Sequence, residues 1–187
     1  HINDPGFTWR EDLPHASEAA AVGGVTTLID MPLQNTPPLT SADAFANKLA
    51  VFEGRSLVDY ALWGGLVTDN AAELAGMDAA GAVGFKAFIA PVSLGYSSVD
   101  MGLAREALFR IKAFGGLAGF HCEDHALICA GEAKAKAGGG TRRAFLDSRP
   151  VVAEVIATAN VIELARETGA RVHICHVSHP RVAELVR

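Results

Sequence analysis

Two hydrophobic patterns alternate along the chain: short runs rich in β-branched residues, and longer stretches in which apolar residues recur at helical spacing. The short runs predict strands at 25–31, 58–66, 83–89, 116–122 and 171–177. The longer stretches predict helices at 11–21, 40–53, 70–80, 103–114, 124–137 and 150–167, with a further helix opening at 180. No hairpin signal joins two strands, which indicates parallel βα units wound into an open sheet or a closed barrel.

The predicted strand at 83–89 carries a lysine in the middle of its apolar run. Strand alternation places Lys86 on one face with Gly84 and Phe88 and leaves the opposite face entirely apolar. Burying an unpaired ammonium group is costly, so a buried lysine is usually neutralised, paired or chemically altered. Lys86 is therefore either an ion-paired or snorkelling side chain near a strand end, or a residue with a chemical role.

Histidines occupy equivalent places on other strands. His121 and His176 lie at the carboxyl ends of two predicted strands, and His1 lies just beyond where an earlier strand would end. The carboxyl edge is where α/β barrels build their sites, and neutral imidazole nitrogens bind divalent cations. The pattern predicts a hydrolytic metal site, although each histidine alone could be structural. A carbamate formed from Lys86 and carbon dioxide would supply an anionic oxygen ligand that bridges two metals.

The other histidines are expected to be secondary. His15 and His125 lie in predicted helices and are interpreted as surface groups. His173 has the opposite strand parity to His176 and is expected to pack against the helix layer. His179 precedes a proline in a loop and could approach the site.

Composition excludes several classes of function. The chain of 187 residues is 50% hydrophobic and 20% charged with a net charge of -5, and it has no basic run, which argues against nucleic-acid or anionic-membrane surfaces. A small-molecule or protein partner is expected. No apolar run reaches the length of a membrane span. The glycines do not form GxGxxG between a strand and a helix, and neither a phosphate loop nor a GxSxG elbow occurs.

The three cysteines are Cys122, Cys129 and Cys175, an odd number without CxxC spacing. This spacing indicates neither a disulfide framework nor a thiolate zinc site, and a reducing, cytoplasmic location fits best. Cys122 and Cys175 have outward strand parity and are expected to be small core residues.

Six stretches together carry a family pattern: HINDPG at 1–6, GGVTTLIDMPL at 23–33, GFKAF at 84–88, HCE at 121–123, SRP at 148–150 followed by Glu154, and HICHVS at 173–178. With these motifs the chain resembles the cyclic amidohydrolases of the amidohydrolase superfamily, and within them the allantoinases. The resemblance implies a (β/α)8 TIM-type barrel with two divalent metal ions, most often zinc. By position it implies the ligands His1, carboxylated and metal-bridging Lys86, His121 and His176.

The resemblance also implies that residues 1–187 are an excerpt, a partial barrel covering about strands 1/2 to 6. The first HxH histidine, the late aspartate that acts as general acid/base, the last barrel strands and a flanking β-sandwich would lie outside it, so the excerpt alone is expected to be inactive. The intact protein is expected to be a homo-oligomer.

The implied reaction is the opening of allantoin to allantoate by a metal-bridging hydroxide. Asn3, Gln34 and Asn35 are expected to contact the substrate, and Asn3 stands where dihydroorotase relatives carry arginine, which disfavours dihydroorotate. Phe7 and Gln34 depart from the allantoinase pattern. The alternatives are another cyclic amidohydrolase, of hydantoinase, dihydropyrimidinase or dihydroorotase type, and a non-catalytic scaffold with the same fold.

Overall fold

The computed structural model describes residues 1–92 and 95–187 and contains alternating strands and helices. The strands are β1 Thr27–Asp30, β2 Asp59–Leu62, β3 Gly64–Gly65, β4 Phe85–Phe88, β5 Leu117–His121 and β6 Arg171–Ile174. The helices are α1 Leu13–Val22, α2 Ala42–Phe52, α3 Leu74–Ala79, α4 Met101–Ala113, α5 His125–Ala137, α6 Arg142–Asp147, α7 Val151–Thr168 and α8 Pro180–Val186.

All strand pairs are parallel, as the sequence predicted. One sheet pairs β1 with β2, and the other runs β3-β4-β5-β6. The two sheets share one stretch of chain, because Trp63 donates its backbone N–H to Asp30 O at 2.9 Å and Gly64 donates to Gly84 O at 2.8 Å. The first half of the predicted strand at 58–66 therefore pairs with β1, and its second half pairs with β4.

The main core lies between the strands and the helices. Phe85 and Ala87 of β4 are fully buried there, as are Ala118 and Phe120 of β5. Helices α4 and α7 cover them with Leu108, Ile111 and Val161. The face of β4 that the sequence predicted to be apolar is the face that packs on the helices, so Lys86 points to the opposite, inner side of the sheet.

Helix boundaries follow local signals in the sequence. Ser41 caps α2 by accepting from the backbone N–H of Ala44 at 3.2 Å. Gly169, with φ of 65°, ends α7 in the left-handed conformation. Pro150 is the N-cap of α7, one position before its predicted place in the first turn.

Three sequence expectations about elements were inexact. Helix α6 was not predicted. Helix α3 begins four residues later than expected, because the Asn70 side chain accepts from the Val67 backbone and donates to Gly65 O in the turn before it. The strands are shorter than their apolar runs. The polar, glycine-containing stretch 90–100 is predicted to be a long loop after the strand that carries Lys86, and its residues 93–94 lie outside the described residues. Among the described helices, none combines the length and apolar character needed to cross a bilayer.

Candidate active site

Lys86 lies on the inner side of the sheet with its side chain buried. Only 2% of the residue is exposed, and its Nζ has no hydrogen-bond partner among the described residues. The ammonium position is 4.7 Å from the centre of the Phe88 ring. Burial lowers the pKa of Lys86, and the neighbouring Cys175 opposes this lowering. The amine is therefore a buried group that finds no hydrogen-bond acceptor in the part of the chain that the structure describes.

The backbone of Lys86 is fixed by two hydrogen bonds. Its carbonyl accepts from the Leu66 backbone at 2.8 Å and from the Tyr96 hydroxyl at 2.6 Å. Tyr96 comes from the loop after β4, is itself buried, and packs edge-on against Phe88 with ring centres 5.7 Å apart. Tyr96 thus ties the segment that follows β4 to the backbone of Lys86 and to the Phe88 ring.

His121 and His176 meet beside Phe88. The Nδ1 atom of His121 lies 3.1 Å from Nε2 of His176, and the two rings meet edge to face at 4.7 Å. The His121 ring also stacks on Phe88 at 5.0 Å. Lys86 and His121 both contact the Phe88 ring, and His176 faces His121, so the structure gathers three of the four predicted ligands around Phe88.

His176 reaches this position by a route that strand parity did not predict. Ile174 packs against the helix-side core, whereas Cys175 is buried facing the cavity and its Sγ is 3.3 Å from where a Cβ on Gly119 would stand. The outward parity expected for Cys175 is therefore wrong. β6 ends at Ile174, and His176 has a φ of 43°, so the alternation no longer holds and the His176 ring turns back inward.

His173 also lies on the inner face, which corrects the prediction that it packs against the helix layer. Its ring contacts Trp63 at 6.3 Å between ring centres. The physical reason is the register: His173 is the partner of Gly119, which is the partner of Lys86. Residues in register on neighbouring parallel strands point to the same side of a sheet.

Electrostatics around His176 favour neutral imidazole. Burial lowers the pKa of His176, and the positive charge of Lys86 and the nearby His121 lower it further. Neutral imidazole is the form that binds a metal, because one ring nitrogen then keeps its lone pair.

A chain of charged groups extends from His121 toward the helices. Glu123 Oε2 lies 2.6 Å from His121 Nε2 and accepts from Arg149 Nη1 at 2.8 Å, while Arg149 Nη2 donates to Glu132 at 2.8 Å. Burial disfavours ionisation of Glu123, but the hydrogen bond from His121 and the charge of Arg149 dominate and lower the pKa of this carboxyl group. The HCE and SRP motifs thus meet in space, although they are 26 residues apart.

A cavity of about 390 Å³ opens in front of the histidines. Its walls include His121 and His176, the charged groups Glu123 and Arg149, and the aromatic ring of Phe145. At its rim Glu154 accepts from the backbone N–H of Ser178 at 2.8 Å and from the Ser178 hydroxyl. The cavity is within the size range of small-molecule sites.

His1 is held near another part of the sheet edge. Its neighbour Ile2 donates a backbone hydrogen bond to Asp30 Oδ1 at 2.7 Å, at the carboxyl end of β1. Among the described residues, the His1 ring makes no hydrogen bond or ring contact with Lys86, His121 or His176. The assignment of His1 as a ligand remains a prediction.

A buried lysine that the sequence did not single out anchors this first loop. Lys48 of α2 is 1% exposed and donates to Ile2 O at 3.1 Å, to Asn35 Oδ1 at 2.6 Å and to Asp30. Burial lowers the pKa of Lys48, and the charge of Asp30 opposes this. The sequence did contain one sign that Lys48 is buried. It lies three residues after Phe45 and four before Phe52, which places it on the apolar stripe of α2.

The residues expected to contact substrate lie in the loops joined by Lys48. Asn35 is buried and donates to Leu33 O at 3.1 Å, while Asn3 Nδ2 is 3.3 Å from Gln34 O. Gln34 adopts a φ of 63°. These contacts tie the loop at 1–6 to the loop at 32–38, and substrate contact by the three residues remains a prediction.

The remaining histidines lie on or near the surface. His15 pairs with Asp12 at the start of α1 and is exposed, as predicted. His125 is the first residue of α5, exposed, with Nδ1 3.4 Å from Ser98 Oγ. His179 caps α8 by accepting from the Arg181 backbone at 3.2 Å, so its ring is used locally rather than in the cavity.

No family model matches the chain. Curated proteins do match: the allantoinase of Streptomyces avermitilis is 37% identical over all 187 residues and 41% of its own length, and the allantoinase of Solibacter usitatus is 39% identical over 97% of the chain and 40% of its own length. The chain is homologous to the cyclic amidohydrolases. It spans about two fifths of the length of these curated relatives.

Solved structures of hydantoinases also match the chain. An L-hydantoinase (dihydropyrimidinase) from Arthrobacter aurescens matches it with a TM-score of 0.92 and 36% identity, over the whole chain and 42% of that protein. A D-hydantoinase (dihydropyrimidinase) from Thermus sp. matches with a TM-score of 0.82 and 26% identity, over 93% of the chain and 38% of that protein. The two parallel sheets formed by β1 to β6 are therefore part of a TIM-type barrel, as the resemblance implied.

Whether the chain suits a metal can be judged from its own donors. Two imidazole nitrogens bound to one tetrahedral zinc would lie about 3.3 Å apart, given typical zinc–nitrogen bonds. His121 Nδ1 and His176 Nε2 are 3.1 Å apart. Lys86, whose charge acts on His176, has a buried Nζ that finds no partner within 1–92 and 95–187. Within the described residues, no three His, Cys, Asp or Glu side chains converge as a complete ion site. The chain thus fits the part of a metal centre that two imidazoles and a modified lysine would supply.

Proposed function

We propose that the chain is part of a metal-dependent cyclic amidohydrolase that opens the ring of allantoin or a closely related cyclic ureide. The observation that carries this proposal is the buried amine of Lys86, which has no hydrogen-bond partner within the described residues and contacts the Phe88 ring. His121 stacks on the same ring, and its Nδ1 faces His176 Nε2. The allantoinases that match the chain along its whole length support the choice of reaction.

Lys86, His121 and His176 would hold the metals, together with His1 from the first loop. When bound, divalent metals would lower the pKa of a water molecule and polarise a substrate carbonyl group. The protein's own contribution is to hold His121 by stacking on Phe88 and to hold the Lys86 backbone through Tyr96. Such preorganisation keeps the ligands from rearranging during a reaction.

Lys86 is suited to carbamate formation by its surroundings. The nitrogen lone pair of a neutral amine forms a bond to the carbon of carbon dioxide, one carbon–oxygen π bond becomes an oxygen lone pair, and the nitrogen then gives up a proton to solvent water. Burial favours the neutral amine that this step requires. The product would carry two oxygens into a place where Nζ has no partner among residues 1–92 and 95–187.

The cavity in front of the histidines would receive the substrate ring. Its volume of about 390 Å³ suits a small heterocycle, and Arg149 and Ser178 at its wall bear hydrogen-bond donors. A second candidate substrate class is the hydantoins, because an L-hydantoinase (dihydropyrimidinase) matches the fold with a TM-score of 0.92 at 36% identity. The DMPL sequence at 30–33 and the Asp4-Pro5-Gly6 loop favour allantoin over hydantoin.

The test uses the full-length protein that contains this segment. Bound metal is measured by elemental analysis, and hydrolysis is measured with allantoin, hydantoin, dihydrouracil and dihydroorotate. We expect bound divalent metal, the fastest hydrolysis with allantoin, and loss of both in Lys86→Ala. The control variant Lys134→Ala removes an exposed lysine of α5 and should behave as wild type. A metal-free protein, or full activity in Lys86→Ala, would contradict the proposal.

A further inference from the structure

His121 presents its two ring nitrogens to two different partners. Its Nε2 faces Glu123 Oε2 at 2.6 Å, and its Nδ1 faces His176 Nε2 at 3.1 Å. A neutral imidazole carries a hydrogen on one nitrogen and a lone pair on the other, and a carboxylate can only accept. The nitrogen next to Glu123 therefore holds the hydrogen, and Nδ1 holds the lone pair.

We propose that Glu123 is a positioning residue, which accepts the hydrogen of His121 Nε2 and thereby directs the Nδ1 lone pair at the point that His176 Nε2 also faces. The inference rests on the proposed function, since that point is where a metal would bind. A carboxylate that accepts from the second nitrogen of a ligating histidine fixes both the tautomer and the ring orientation.

Arg149 keeps Glu123 in place. The oxygen that faces His121 also accepts from Arg149 Nη1 at 2.8 Å, and the other arm of the guanidinium group donates to Glu132 at 2.8 Å. Arg149 lies between α6 and α7 with its guanidinium carbon 5.2 Å from the centre of the Phe145 ring. Because one carboxylate oxygen receives two donors, Glu123 cannot turn away from His121 without losing an ion pair.

Glu123 could instead serve only to join helices through Arg149, and two variants separate these roles. Arg149→Met removes the ion pairs with Glu123 and Glu132 but leaves a carboxylate that accepts from His121 Nε2. Glu123→Leu removes the pair with Arg149 and the acceptor for His121. A purely structural role predicts that Arg149→Met reduces stability and metal binding at least as much as Glu123→Leu, whereas the positioning role predicts that Glu123→Leu weakens metal binding much more.

The experiment measures zinc affinity of the full-length protein by competition with a chromophoric chelator, and thermal unfolding of the metal-free protein. We expect Glu123→Leu to bind zinc about 10-fold to 100-fold more weakly than wild type. Glu123→Gln keeps an accepting oxygen but loses the charge. Its zinc affinity should therefore lie between those of wild type and Glu123→Leu, about threefold to tenfold below wild type. Glu167→Gln is the control, because Glu167 also pairs with an arginine, Arg105, but on the protein surface.

The outcomes distinguish this inference from the proposed function. Zinc binding by Glu123→Leu within twofold of a zinc-binding wild type, or equal losses in Glu123→Leu and Arg149→Met, overturns the inference alone. If Glu123→Leu fails to fold, Glu123→Gln decides, and an affinity within twofold of wild type overturns the inference. A wild-type protein that binds no divalent metal overturns both proposals.

Discussion

The indole of Trp63 occupies the space that a side chain at Gly119 would need. A Cβ built on Gly119 would lie 2.6 Å from Cη2 of Trp63, closer than carbon atoms approach without displacement. Gly119 is the register partner of Lys86, so the indole fills the inner side of the sheet next to the lysine. The glycine at position 119 thus gives the indole the space it needs on the inner face of the sheet.

Gly119→Ala should therefore destabilise the full-length protein by about 1–3 kcal/mol, because the added methyl group overpacks a filled interior. Urea unfolding measures the change. Gly138→Ala is the matched control, since a Cβ there meets its neighbours at ordinary distances of 3.5 Å or more. Equal stability of the two variants would show that the indole is not held against Gly119.

Lys48→Met should destabilise the full-length protein by about 3–5 kcal/mol, because it leaves Asp30 buried without its counter-charge. Both side chains of this pair are 1% exposed. Thermal or urea unfolding gives the loss, with Lys134→Met as a control at an exposed position. The double variant Lys48→Met with Asp30→Asn should recover part of the loss, and a fully additive double variant would contradict a direct ion pair.

The cysteines should react in an order set by burial. Cys129 is exposed, whereas Cys122 and Cys175 are buried, and burial raises the pKa of Cys122 to about 12. The thiolate is the reactive form, so at pH 8 almost no Cys122 is nucleophilic in the folded state. Alkylation followed by peptide mass spectrometry should label Cys129 within minutes and Cys122 only after unfolding. Comparable labelling of both in the folded protein would contradict the buried position of Cys122.

Sequence patterns predicted the parts of the site that lie within regular strands. Alternation holds through β4 and β5, so the inward direction of Lys86 and His121 followed from parity alone. At β6 the hydrogen-bonded strand ends at Ile174, before His176. The prediction assumed that strand alternation continues to an inward-pointing His176, and this assumption assigned His173 and Cys175 to the wrong side of the sheet. Where the backbone leaves the β region, side-chain direction depends on φ, which periodicity does not encode.

Contacts between distant segments were beyond prediction from the sequence. Glu123 and Arg149 belong to motifs that the sequence did reveal, but their pairing depends on how α6 joins α7. Lys48 was visible only as a charge on an apolar helix stripe, and its partners come from three other stretches. Such pairings follow from tertiary packing rather than from local propensity.

The proposed metal centre depends most on the chemical state of Lys86. The most direct test is the electron density at its Nζ in crystals of the full-length protein grown with bicarbonate and divalent metal. We expect density for one carbon and two oxygens continuous with Nζ, with a metal at bonding distance and His121 and His176 beside it. An unmodified amine against Phe88 with no metal next to it would contradict a metal-binding carbamate at Lys86.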